Sequence, residues 1–120
     1  MKHLKCTQFH PQYGQIAVNI RFVGRELFMR FSDNNPQKVQ MIQQLRLKGA
    51  DISEKENWIR IDLFKGQVDN GNPLIKMGDV EFNVLESSNE QMEEILFNFY
   101  TEQYQRAKFK VEEVTNEESN

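Results

Sequence analysis

The chain carries one cysteine, Cys6, among its 120 residues, so an internal disulfide framework is excluded. A lone thiol fits a reducing compartment and predicts the cytoplasm, although a cross-link to a second copy stays open to it. Long apolar runs are missing as well. The longest are of three residues, as at Ile95-Leu96-Phe97, far below the ~18 consecutive apolar residues that a membrane-spanning helix needs. The opening residues, Met1 to Cys6, include two lysines but no apolar stretch behind them, which predicts no signal peptide.

Catalytic signatures are equally scarce. The chain has no G-x-S-x-G elbow, no H-E-x-x-H pair and neither of the glycine-rich phosphate-binding loops, and its two histidines both lie within the first ten residues. This predicts a protein that is not an enzyme, with no catalytic residues and no cofactor. His3, Cys6 and His10 stand close in sequence, but on an extended strand His3 and Cys6 point to opposite sides. Cys6 and His10 share a side yet lie about 13 Å apart at ~3.3 Å per residue, too far for one ion, so no metal site is expected. Asp62, Asp69, Asp79 and Glu81 are the acids that could gather into a carboxylate site. Their turn contexts, and Arg60 beside Asp62, read them instead as solvated strand-edge charges.

Charge of one sign is also absent from most of the chain. Eighteen acids and fifteen bases give a net charge of -3, but Glu112, Glu113, Glu117 and Glu118 lie in residues 112–120, which hold no base. Without them fourteen acids face fifteen bases. A nearly neutral body argues against strong duplex-DNA binding and against an acidic nucleic-acid mimic. The reading is one globular domain over residues 1–111 and an acidic, mobile tail over 112–120.

What the chain does have is bulk for a core, with nine Phe, three Tyr and one Trp. Residues 3–9 read as a strand closed by Pro11-Gln12-Tyr13-Gly14. Between Gln15 and Val23, Ile16, Val18, Ile20 and Phe22 alternate with polar positions, the period of a half-buried strand. Gly24-Arg25 makes a tight turn into a return strand, Glu26 to Phe31. Asn35-Pro36 starts a helix carrying Val39, Ile42 and Leu45 and ending near Lys48-Gly49. Asp51 to Asn57 reads as a charged loop before a strand from Trp58 to Phe64. A hairpin is expected about Asp69-Asn70-Gly71-Asn72-Pro73, between strands near Gln67 and at Leu74–Met77, and a last strand at Asp79–Leu85. Ser88 with Gln91, or Ser87 with Glu90, forms a capping box for a helix running towards Lys108.

At an offset of 54 residues, Gly24, Phe28, Asn35 and Gln37 recur as Gly78, Phe82, Asn89 and Gln91, a faint internal duplication. The predicted fold is therefore α+β: an antiparallel sheet of five or six strands in the order βββα-βββα, with two helices on one face.

If both helices cover the face bearing Ile16, Val18, Ile20, Leu27 and Ile59, the other face presents Arg21, Phe28, Arg30, Trp58, Arg60 and Phe64 together. Aromatics among arginines on an open sheet suit three fates: contact with another protein or a second copy, burial in the domain's own core, or stacking of single-stranded DNA or RNA. The leading expectation is a small non-catalytic binding protein with a protein partner, of the inhibitor or adaptor kind encoded by mobile elements and immunity systems. The alternatives are a single-stranded nucleic-acid-binding domain and an enzyme with a non-standard site.

Overall fold

The computed structural model describes residues 1–115. In chain order the elements are β1 (Lys2–His10), β2 (Gly14–Val23), β3 (Glu26–Phe31), α1 (Lys38–Leu47), β4 (Asp51–Lys55), β5 (Trp58–Asp62), α2 (Lys65–Asp69), β6 (Leu74–Met77), β7 (Val80–Asn83), α3 (Asn89–Arg106) and β8 (Lys110–Glu113). Six strands form one antiparallel sheet in the order β4-β5-β3-β2-β1-β8, and β6 and β7 form a separate two-stranded sheet. The fold is α+β, as the sequence predicts.

Two-residue periodicity places the core. On β2, Ile16, Val18, Ile20 and Phe22 all point to one side and are fully buried, and the ladder sets Leu4 and Cys6 of β1 and Leu27, Met29 and Phe31 of β3 beside them. α3 lies across β1, β2 and β8, burying Met92, Leu96, Tyr100 and Tyr104, which recur every four residues and so share one helix stripe. Met41, Ile42 and Leu45 of α1 pack against the same core, so both long helices occupy one side of the sheet. No helix among the described residues is long and apolar enough to cross a membrane.

Of the two capping boxes readable before α3, the fold uses Ser88 with Gln91. Ser88 Oγ accepts a hydrogen bond from the Gln91 amide at 3.1 Å, and Gln91 Oε1 accepts one from the Ser88 amide at 2.8 Å. Asn35 lies ahead of α1, which starts at Lys38 and not at Asn35-Pro36; its Oδ1 accepts from the Gln37 amide at 2.9 Å and its side-chain amide donates to the Ala17 carbonyl, which ties the approach to the helix to β2. Gly24 and Gly78, the pair matched by the 54-residue offset, both take a left-handed backbone (φ 61° and 60°) in two-residue turns, joining β2 to β3 and β6 to β7. Strands β6 and β7 nevertheless stand apart from the main sheet and fold over its buried side, where Ile75 and Val84 enter the core.

Four local expectations need correction. The charged loop at Asp51–Asn57 contains strand β4, whose Ile52 pairs with Ile61; the charges of Asp51, Glu54 and Lys55 face water along an exposed sheet edge. The segment near Gln67 is the short helix α2, so β6 pairs with β7 instead. Phe64 leaves the open face: the β5 alternation stops at Asp62, and the turn into α2 swings Phe64 into the core against Phe82, with ring centroids 5.8 Å apart. The boundary at residue 111 also moves, because Lys110–Glu113 pair with Leu4–Thr7 and the Val114 amide donates to the His3 carbonyl. Glu112 and Glu113 thus belong to the sheet, while the part of the expected tail at 116–120 lies outside the described residues.

Candidate interaction face of the sheet

Each ladder on the side away from α3 carries polar and aromatic residues into register. His3 lies opposite Arg21, Arg21 opposite Phe28, Phe28 opposite Arg60, and Arg60 opposite Ser53, in one row crossing five strands. The next row runs through Lys5, Asn19 and Arg30. Trp58 begins β5, and its indole lies across the sheet with the guanidinium carbons of Arg21 and Arg30 at 4.4 and 4.8 Å from the ring and the His3 imidazole edge-on at 6.4 Å. Guanidinium groups on indole rings are held by the ring quadrupole and give up little hydration in the process. Phe28 and Trp58 are half-buried, Arg30 and Lys5 exposed.

Five of the six residues expected on this face are therefore on it: Arg21, Phe28, Arg30, Trp58 and Arg60. Arg60 is engaged differently from the others. It donates to Glu26 Oε2, to Asp51 Oδ2 at 2.7 Å and to Ser53 Oγ at 3.0 Å, and the bonds to the two carboxylates raise its pKa above the ordinary value, that with Asp51 most. Arg30 and Lys5, by contrast, have no carboxylate partner among the described residues. Sequence reasoning missed His3, whose Nε2 lies 3.1 Å from Asn19 Oδ1 and whose ring is almost fully covered. Strand alternation from Leu4 and Cys6 was the signal that could have placed it.

Asp62, Asp69, Asp79 and Glu81 do not gather into a carboxylate site. Asp69 pairs with Lys65, and Asp79 sits in the β6–β7 turn. Asp62 is not a solvated edge charge: it is buried, accepting from Arg25 Nε at 3.1 Å and from the Phe64 amide at 3.0 Å. Among the described residues no three His, Cys, Asp or Glu side chains gather as a metal would require.

Cys6 faces the core with Tyr100 and Tyr104, and burial pushes its thiol from an ordinary 9.0 to about 12. Burial also raises both tyrosines. All three are neutral in the folded state, so unfolding releases their protons once the pH passes about 9. Their contribution to stability is whole below that pH and is lost as the pH rises towards 12. The midpoint of urea unfolding should thus hold steady from pH 7 to 8.5 and fall above 9. Cys6 in the native protein should resist iodoacetamide at pH 8 until urea unfolds the chain; rapid native-state alkylation would mean instead that β1 detaches readily.

No family model, no curated protein and no solved structure matches this chain.

Proposed function

We propose that the chain is a non-catalytic binding domain that docks another protein on the open sheet face, with Trp58 at the centre of contact. The observation that carries this reading is the indole held half-buried between two guanidinium groups, beside Phe28, on the face that α1 and α3 do not cover. Trp and Arg dominate the energetics of protein interfaces because a rigid, already-positioned ring loses little conformational freedom on binding. Arg30 and Lys5 flank this centre without carboxylate partners, so the partner is one that brings acidic side chains around a flat apolar contact.

Single-stranded nucleic acid suits the same face less well. A base would have to compete with Arg21 and Arg30 for the indole, Arg60 is already engaged by two carboxylates, and Glu56 borders Trp58 at the exposed β4–β5 turn.

The test is a photo-crosslinking residue in place of Phe28 or Arg30, with the same probe at exposed Leu47 of α1 as control. A discrete adduct with another protein is expected from positions 28 and 30 and not from 47. Trp58→Ala should weaken that complex roughly 30- to 1,000-fold, the range of an interface hot spot, and leave the unfolding midpoint nearly unchanged. Equal labelling from Leu47, or no adduct, would defeat the proposal. An adduct of twice the chain's mass would make the partner a second copy, and saturable, salt-sensitive quenching of Trp58 by a mixed oligonucleotide would replace protein by nucleic acid.

A further inference from the structure

On the opposite side of the sheet a second surface is left open. The stripe of α3 next to its buried one carries Ile95 and Phe99, half-buried, and across from them the β6–β7 hairpin presents Phe82 and the exposed Val80. Between helix and hairpin runs a groove of about 540 Å³, floored by these four side chains. A seam of this kind between two elements normally closes by packing. Here only Ile75 of the hairpin and Val84 just past it are buried, Met77 and Phe82 pack against the core in part, and the outer half of the seam remains open to water.

The rim is of one sign. Asp79, Glu94 and Glu102 line the groove, and no Lys or Arg does, although bases and acids nearly balance over residues 1–111. Glu102 is paired with Arg106, but neither Asp79 nor Glu94 has an ion-pair partner among the described residues. An apolar floor favours an apolar partner surface, and the rim selects against acidic ones, because a second carboxylate brought to Asp79 or Glu94 would meet like charge. Along α3 the groove extends from Gln91 to Glu102, about 16 Å at ~1.5 Å per residue, which matches three turns of a second helix.

From these features we infer that the groove docks a basic amphipathic helix of a partner protein. Its apolar stripe lies on Val80, Phe82, Ile95 and Phe99, and its Lys or Arg side chains reach Asp79 and Glu94. This is the helix-in-groove mode of recognition, in which residues at i, i+3, i+4 and i+7 anchor the ligand. The site is separate from the Trp58 face, so the two succeed or fail independently.

The test uses a synthetic helical peptide with leucine on one face and lysine on the other, and a counterpart with glutamate for lysine, each titrated into the isotope-labelled chain. Saturable binding of the lysine peptide is expected, weakened by salt, with amide shifts confined to the surroundings of Val80, Ile95 and Phe99. The double variant Asp79→Asn, Glu94→Gln changes only exposed side chains and should fold normally, yet bind about tenfold or more weakly. Lys5→Gln with Arg30→Gln, on the other face, should leave affinity unchanged. Equal affinity of the acidic-rim variant, equal binding of the glutamate peptide, shifts centred on Trp58, or no saturable binding would each overturn the inference.

Discussion

Phe22→Ala should lower stability by about 3–5 kcal/mol, the largest effect expected of any single truncation in this domain. Phe22 is completely buried, and its ring meets Phe97 edge-on at 5.6 Å and Tyr100 at 6.2 Å, so β2 and α3 are joined through it. Removing the ring takes away its transfer free energy and leaves a void that the neighbours cannot fill. Leu27 is pinned opposite it by the ladder, and Phe97 also supports the Lys2 ammonium 5.1 Å from its ring. A chain of this length is expected to have a total stability on the order of 10 kcal/mol, so the variant would keep a folded majority but melt about 15 °C lower. The slope of urea unfolding should not change, because the same surface is exposed. Phe22→Leu, which refills most of the volume, should cost less than half as much. A melting shift below about 5 °C for Phe22→Ala would show that α3 can settle onto the sheet without this contact.

Asp62→Ala should be the second most damaging change, at about 2–4 kcal/mol, for an electrostatic reason. The carboxylate is buried at the end of β5, receives Arg25 through Nε and Nη2 at 3.1 and 3.0 Å, and accepts the Phe64 amide. Alanine leaves a buried N–H without a partner and removes the anion that holds Arg25. Arg25 is partly exposed and can return to water, which keeps the loss below that of a fully buried pair. Asp62→Asn retains an oxygen for the Phe64 amide and should cost about half as much. Hydrogen exchange supplies the local readout: the Phe64 amide should lose its protection in Asp62→Ala before the β2 amides lose theirs. A cost under about 0.5 kcal/mol would mean that water replaces the carboxylate at no penalty.

The sequence made the central strands legible because burial on one face imposes a strict alternation. Ile16 to Phe22 could be read no other way, and the register of β2 against β3 follows from the Gly24-Arg25 turn. The open face became readable by the same alternation, which carried Arg21, Phe28, Arg30, Trp58 and Arg60 to one side. It misplaced Phe64 because extending the β5 period two residues too far ignores the Asx turn that Asp62 makes with the Phe64 amide. β4 was hidden because an edge strand needs little apolar content: Ile52 alone is half-buried, and the strand is held by ladder bonds to β5. β8 was hidden for a related reason, since Lys110–Glu113 offers only Val111 to the core side and depends on β1, far away in sequence, to become a strand. The departure of β6 and β7 from the main sheet has no local signal. Their alternation is that of any hairpin, and packing against Phe64 and α3 determines where it rests.

The position of β8 beside β1 sets the order of events during synthesis. Cys6 pairs with Val111, so the outer edge of β1 stays without its partner until nearly all of the described chain has left the ribosome. β2 and β3, joined by tight turns, can form with β1 early, whereas closing the loop to β8 is a late and entropically costly step. A nascent chain stalled before Lys110 would therefore expose β1 as an unpaired strand next to incompletely covered Leu4 and Cys6. In that interval β1 is the segment through which two unfinished copies would join.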